Sequence, residues 1–425
     1  MKLLILLISN ETIPNVLCAW HFKPDAILFF TTKGMEKEHK TQIILNGLKK
    51  ISDSFAFSEE KNNYWSVTVD KNSVIDINDK LDDWIKKYWN DRFDEIIVNI
   101  TGGTKLMSLG LYTGIRSKIK AGKEFSDKNT KIIYLPIGEN KVLFLEGNSA
   151  GSGSAIIEER LNIAEFFESS GIQILSRGDD ARKNKELAEL IMKHYDTLKE
   201  FLTKLYGKIN DKDNDRKREM KKQFKKHHPY AIDVSFYLET NKPANDFNEC
   251  FNRIFEFDYL NHLDAKYEND QITIKGNLEK GACGFLKGGW LEQFCFNELL
   301  ELKDEKIFDD VNINVSVRNT LGAETENEFD VLFTCNNALY MLECKSLNQE
   351  YDNKTDILYK ISALQVDLGR LTAKSFLVST SENIIDEKGE IKEYLEKRAK
   401  LLKCVIIKPD NIINLKDEIK KKLSV

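Results

Sequence analysis

Glu328-Phe329-Asp330-Val331-Leu332-Phe333-Thr334-Cys335-Asn336-Asn337-Ala338-Leu339-Tyr340-Met341-Leu342-Glu343-Cys344-Lys345 reads as a β-hairpin. Two apolar runs of strand composition flank Asn336-Asn337, and asparagine tolerates the positive φ that a two-residue hairpin turn requires. If those two residues are the loop, Cys335 pairs with Ala338. Counting outward then sets Asp330 opposite Glu343 and Glu328 opposite Lys345. Side chains alternate along a strand, so the four charged residues share one face.

Like charges directly opposite each other on a sheet repel, so this face needs something to offset Asp330 against Glu343. A divalent cation between the two carboxylates would do it, and all-oxygen ligands suit Mg²⁺ or Mn²⁺. Lys345 would then stand where an ammonium orients an attacking water or stabilises charge developing on a phosphate. The plainer alternative is an exposed hairpin face whose charges pair off in water. A third acid lies upstream in Trp290-Leu291-Glu292-Gln293-Phe294-Cys295-Phe296-Asn297-Glu298-Leu299. At helical spacing the neighbours of Glu292 are Cys295, Phe296 and Leu299, which puts this acid on an apolar face where an unpaired charge is costly. Either Glu292 snorkels at the edge of the stripe or it meets a metal or a lysine; Glu298 and Glu301 fit the polar side better.

Working outward to the N-terminus, short β-branched runs alternate with amphipathic stretches from Met1 to Gly147: Leu3 to Ile8, Ala26 to Phe30, Tyr64 to Val69, Glu95 to Ile100 and Lys131 to Ile137. The rhythm is βαβ and the strands are apolar enough to be buried on both faces, which predicts a Rossmann-like parallel sheet. Ile132 to Leu135 and Val142 to Leu145, around Gly138-Glu139-Asn140, read as a terminal hairpin. The strand Glu95 to Ile100 runs into Thr101-Gly102-Gly103-Thr104-Lys105 and then a helix. Two glycines allow backbone amides close to a ligand, Thr104 can cap the helix, and a helix N-terminus favours anions. The form is that of a phosphate-binding turn, though not a Walker A loop; a tight turn with no ligand is the alternative. The loops at Ser9-Asn10-Glu11-Thr12 and Thr31-Thr32 leave the same C-terminal edge of the sheet, where open α/β sheets collect ligands.

Between the two ends, Gly147-Asn148-Ser149-Ala150-Gly151-Ser152-Gly153-Ser154 has linker composition and marks a boundary. Helical spacing over Ala155 to Phe167 and Lys185 to Tyr206 predicts a mainly helical connecting region over 148–279. A Lys- and Arg-rich run from Lys208 to His228 is either a solvated helix or loop or a basic strip touching nucleic acid. From Lys280 the pattern helix, strand, hairpin, helix, strand starts a separate α/β domain over 280–425. The chain has 425 residues, 41% hydrophobic and 31% charged, with a net charge of −5. That supports two or three globular domains and confines any nucleic-acid site to a local patch. No run is long enough to span a membrane, and Leu3 to Ile8 is too short for a secretory core, so a cytoplasmic location is expected. Seven scattered cysteines without a CxxC pair support neither disulfides nor zinc.

Glu292 on a helix, then Asp330, then Glu343-Cys344-Lys345, with a helix-strand pair from Lys360 to Ser379, resembles the PD-(D/E)xK nuclease superfamily. The resemblance implies a restriction-endonuclease-like α/β fold, with metal ligands Asp330, Glu343 and Glu292 and catalytic Lys345. It also matches Gln365 to the polar residue that the following helix often supplies. Asp330 follows Phe329 rather than proline, a departure from the motif. Asn99-Ile100-Thr101-Gly102-Gly103-Thr104-Lys105-Leu106-Met107 resembles the signature turn of CARF domains, the cyclic oligoadenylate sensors of type III CRISPR systems. Together the two ends are similar to the CRISPR ancillary nucleases that join these modules. That resemblance implies ligand contacts at Ser9, Asn10, Thr12, Thr32, Gly103, Thr104 and Lys105, and a homodimer with the ring across its two-fold axis. The implied activator is a cyclic oligoadenylate, with cyclic tetra-adenylate the leading expectation, and the implied substrate is single-stranded RNA, DNA or both. Two rivals remain: a restriction-type nuclease with a different nucleotide sensor, and a non-enzymatic regulator that binds DNA through the basic run.

Overall fold

Leu3 through Leu7 expose none of their surface, which is how a strand covered on both faces reads. They lie in β1 (Lys2–Leu7), inside a seven-stranded sheet with β2 (Ala26–Thr31), β3 (Tyr64–Thr68), β4 (Glu95–Asn99), β5 (Asn129–Tyr134), β6 (Lys141–Glu146) and β7 (Ser154–Ile156). This computed structural model describes residues 1–89, 92–121, 125, 129–136, 139–146, 153–178, 184–209, 229–237, 244–258, 260, 262–268, 271–319, 326–346, 356–367 and 372–425. The strand order is β3-β2-β1-β4-β5-β6-β7. β1 to β5 pair in parallel, and β6 and β7 close the edge antiparallel. Leu3, Ile5 and Leu7 pack with Ile77 and Leu81 of the helix Val74–Tyr88 and with Leu111 and Ile115 of the helix Lys105–Lys120. From β1 the chain passes through α1 (Ile13–Phe22) to β2 on one side, while β4 lies on the other. The loops after β1 and β4 therefore diverge and leave a crevice at the switch point of the sheet.

The expected strands of this half are all present, but the expected helix over Ala155 to Phe167 is not. Ser154–Ile156 is instead the edge strand β7, and only Ile163–Glu168 is helical. Asn162 caps that short helix through a hydrogen bond from the Glu165 amide, which fixes its start at Ile163 and not at Ala155. The boundary expected at Gly147 is displaced as well, since β7 beyond it still pairs with β6. The connecting region is mixed: Lys185–Lys193, Tyr195–Ile209 and Ala244–Phe255 are helices, and β9 (Tyr230–Tyr237), β10 (Leu263–Glu268) and β11 (Gln271–Leu278) form an antiparallel sheet that the helical expectation did not include. Ile232, Val234 and Phe236 alternate into its core, a period-2 pattern that decides for strand. Of the basic run, 210–228 lies outside the described residues. All seven cysteines are buried and free. Among the described residues no helix is long and apolar enough to cross a membrane.

The C-terminal sheet has the order β16-β15-β14-β13-β12-β8, in which β8 is Ile172–Ser176, β12 Asp310–Asn319, β13 Glu326–Cys335, β14 Ala338–Lys345, β15 Thr372–Ser379 and β16 Cys404–Ile407. The hairpin turn is where the sequence puts it. Asn336 and Asn337 have φ of 53° and 57°, the left-handed pair of a tight turn that keeps the strands' twist. Contacts divide the chain into two units, and the division crosses this hairpin. Thr334–Leu339 belongs with Met1–Leu175, whereas Glu328–Phe333 and Tyr340–Val425 belong with Ser176–Val315. In the first unit the buried Asn337 amide donates to Asn140 Oδ1 at 3.0 Å and to the Glu159 carbonyl at 2.8 Å. It accepts from Leu161 N at 2.8 Å. Asn140 in turn donates to Asn336 Oδ1 at 2.9 Å, and Thr334 donates to the Leu161 carbonyl at 3.1 Å.

Candidate active site and ligand cleft

In the second unit Glu292 sits on the helix Trp290–Asp304, Asp330 on β13, Glu343 and Lys345 on β14, and Lys360 on the helix Asp356–Asp367. Glu343 is 1% exposed, and its Oε1 takes Lys345 Nζ at 2.9 Å together with Lys360 Nζ. Asp330 Oδ2 accepts the Cys344 amide at 2.7 Å. Burial, then the negative charge of Glu343, pushes the Asp330 carboxyl up to about 6, although the Cys344 hydrogen bond works against the shift. Burial, then Asp330, pushes Glu292 up to about 7. Burial pulls the Lys345 ammonium down, but Glu343 and Asp330 more than offset it and hold it above its ordinary value. The four predicted charges that matter thus converge, and burial together with repulsion between the acids raises the proton affinity of Asp330 and Glu292.

Gln365 is a correction. Its amide donates to Ser375 Oγ at 2.6 Å and to the Leu402 carbonyl at 3.0 Å, so it pins its helix to the sheet and is not turned toward the acids. Lys360, five positions earlier on that helix, is the cation that sequence reasoning missed. The cue was available in the lysine one turn before the apolar Leu364, but the helix's docking was needed to aim it. Glu301 takes Lys185 at 2.8 Å and Lys416, the polar-side role expected for it.

The first unit holds a cleft of about 780 Å³ at the switch point of its sheet. Ser9, Asn10, Thr32, Gly103 and Thr104 line it as expected; Lys33, Thr68, Asp70, Lys71 and Asp76 line it too. A smaller cavity of about 300 Å³ continues along Ser9, Asn10, Asn15 and Thr101 to Gly103. The turn that builds the cleft is tied down from below. Asn99 Oδ1 accepts from Thr101 N at 3.0 Å and from Thr101 Oγ1 at 2.6 Å, while Asn99 Nδ2 reaches Asn15 Oδ1 at 3.2 Å. A Cβ on Gly102 would stand 2.1 Å from the Leu7 carbonyl oxygen, and Gly103 has φ of 74°, so both glycines are required. Thr104 caps the helix Lys105–Lys120 through the Met107 amide at 3.2 Å and donates to the Lys71 carbonyl at 2.7 Å, joining the turn to the loop after β3. One expected contact falls elsewhere: Thr12 is buried with its hydroxyl on the Ser169 carbonyl, whereas Lys105 is exposed at the start of the helix that Thr104 caps.

Residues 3–166 match the model of the Card1 CARF domain, and residues 279–425 match the Card1-like endonuclease domain. The chain joins a CARF domain to an endonuclease domain. Its cleft is in the CARF domain and its carboxylates are in the endonuclease domain. Protein VC1899 from Vibrio cholerae matches in structure with a TM-score of 0.70 at 18% identity, covering 100% of this chain and 98% of that one. Can2 from Sulfobacillus thermosulfidooxidans, solved in complex with cyclic tetra-adenylate, matches with a TM-score of 0.68 at 16% identity, covering 98% and 99%. At these identities the likeness is one of fold. Comparison with curated proteins in sequence gives no match.

Proposed function

We propose that this chain is a divalent-metal-dependent endonuclease that a cyclic oligoadenylate switches on, and that it hydrolyses single-stranded RNA, DNA or both in antiviral defence. The observation that carries the reading is the convergence of Asp330, Glu343, Glu292 and Lys345 in an endonuclease domain. Among the described residues no three His, Cys, Asp or Glu side chains form a ready-made cage. Carboxylate oxygens suit Mg²⁺ or Mn²⁺, which use one or two protein carboxylates and complete the shell with water and phosphate oxygens. The raised carboxyls of Asp330 and Glu292 mark a site short of positive charge, and its donors are all oxygen. Asp330 and Glu343 would hold the cation, with Glu292 beside them. When bound, it would polarise the phosphate and lower the pKa of a coordinated water.

The protein's own part is positioning. The Cys344 amide fixes the Asp330 carboxylate, and burial fixes Glu343. The Lys345 ammonium, held charged, lies within reach of the negative charge that develops on a phosphate under attack. In the sensor, backbone amides at Gly103 and Thr104, with Lys33 and Lys71, suit a phosphate backbone. Can2 carries cyclic tetra-adenylate, so that ring is the first activator to try. A ring of identical units is best met by the same loops from two subunits, which calls for a C₂ homodimer and one ring per dimer. Labelled single-stranded RNA and DNA, incubated with the protein, Mn²⁺ and each of cyclic tetra- and hexa-adenylate, test the reading. Cleavage should require both ring and metal; no cleavage of either polymer with any ring would end it.

A further inference from the structure

Glu343 carries more positive charge than a single buried carboxylate needs. Lys345 on the same strand already satisfies Oε1 at 2.9 Å. Lys360 arrives at that same oxygen from another element, with 47% of its side chain exposed against 23% for Lys345. The second oxygen of the acid is not where the second ammonium goes. Two cations on one oxygen repel each other, so the arrangement is worth holding only because Asp330 and Glu292 add further negative charge nearby. We infer that Lys360 is a gate cation: it occupies Glu343 in the metal-free protein and must leave that carboxylate for a divalent cation to bind.

The inference rests on the metal site proposed above. Lysine suits the task because its ammonium is a compact charge on a flexible stem and can swing into water without disturbing the helix. Its neighbours on that helix, Leu358 and Ile361, are buried and stay in place. Lys345 cannot serve in the same way, because its strand fixes it on the face it shares with Glu343. Lys360 is therefore a positioning residue that sets metal affinity through Glu343.

The test is Mn²⁺ binding by calorimetry to full-length wild type, Lys360→Met and Lys360→Arg, without nucleic acid. Methionine keeps the apolar stem and removes the competitor, so binding should tighten roughly tenfold, the scale of one neighbouring charge on an ionic site. Arginine holds a carboxylate with a planar fork, so Lys360→Arg should bind Mn²⁺ more weakly than wild type. Thermal unfolding gives a second readout: Lys360→Met should melt below wild type without metal and level with it when saturated with Mn²⁺. Equal Mn²⁺ affinity in Lys360→Met and wild type overturns the gate while leaving the metal site standing, as does tighter binding by Lys360→Arg. If neither wild type nor Lys360→Met binds Mn²⁺, the metal site itself falls, and the gate with it.

Discussion

The cleft of the CARF domain and the carboxylate site of the endonuclease domain solve opposite problems. Under the cleft, the polar groups of the turn are already satisfied by Asn99, Asn15, Thr101 and Thr104, so the site is finished before any ligand arrives. At the carboxylates, three acids share two lysines, and two of the acids are held far above their usual proton affinity. One site is preorganised by hydrogen bonds and the other is poised by unresolved charge. Substitutions should therefore act differently in the two places: shape changes should ruin the cleft, and charge changes should govern the nuclease.

The largest effect expected is on chemistry. Glu343→Gln or Lys345→Ala should lower activated cleavage by about 10²–10³-fold or more with the fold retained, because the first removes a proposed metal ligand and the second a cation placed for charge developing on the phosphate. Gel assays with ring and Mn²⁺ measure it, EDTA should mimic it, and wild-type rates in both variants would erase the contrast. Next comes Gly102→Ala in the cleft. Its methyl group cannot fit beside the Leu7 carbonyl, so ring binding should be lost with several degrees of thermal stability, whereas the same change in a charge-governed site would be mild.

A pH series sharpens the comparison. Asp330 and Glu292 have folded values near 6 and 7, raised from 3.8 and 4.5. A raised acid favours folding below its ordinary value, and that contribution is lost as pH rises through its folded value. Metal-free protein should thus lose stability as pH climbs from about 4 toward 7. Mn²⁺ should flatten that slope, and cleavage should fall as pH drops from 7 to 6, where the ligands take up protons. Thermal melts across pH, with and without Mn²⁺, read this directly; a melting profile indifferent to metal would contradict the poised-charge account. Smaller still, Thr104→Ala should cost about 1 kcal/mol through the lost helix cap and weaken ring binding, while Lys105→Ala should do little. Basal nuclease activity should survive both. Gln365→Ala should cost about 1 kcal/mol of stability through its hydrogen bonds and leave cleavage nearly unchanged.

Much of this was legible because local rules and tertiary outcome agree. The alternation of β1 to β5, the Asn336-Asn337 turn and the acids on β13 and β14 follow from period and turn chemistry alone. Three of the errors share one cause, which is partners that only the tertiary fold brings together. Thr12 looks like a loop residue until Ser169, 157 positions away, takes its hydroxyl. Gln365 looks like an active-site polar residue until Ser375 and Leu402 claim its amide. Lys360 drew no notice because only the docking of its helix brings it to Glu343. The edge strand β7 failed for a different reason: three residues carry too little pattern to outweigh the helical spacing around them.

The ring of hydrogen bonds around Asn337 bears on how such proteins can be cut and recombined. A fragment ending at Leu175 would lack Thr334–Leu339 of its own contact unit, leaving the Leu161 amide and carbonyl and the Asn140 side chain without these partners. Leu161 is buried, and each of its two groups left unmade costs about 1–3 kcal/mol, a large share of what holds a domain of this size together. The seam between exchangeable parts runs across the tip of a β-turn and not along the glycine-serine stretch. A chimera that grafts another nuclease onto this sensor must bring an asparagine pair, or its equivalent, at that tip.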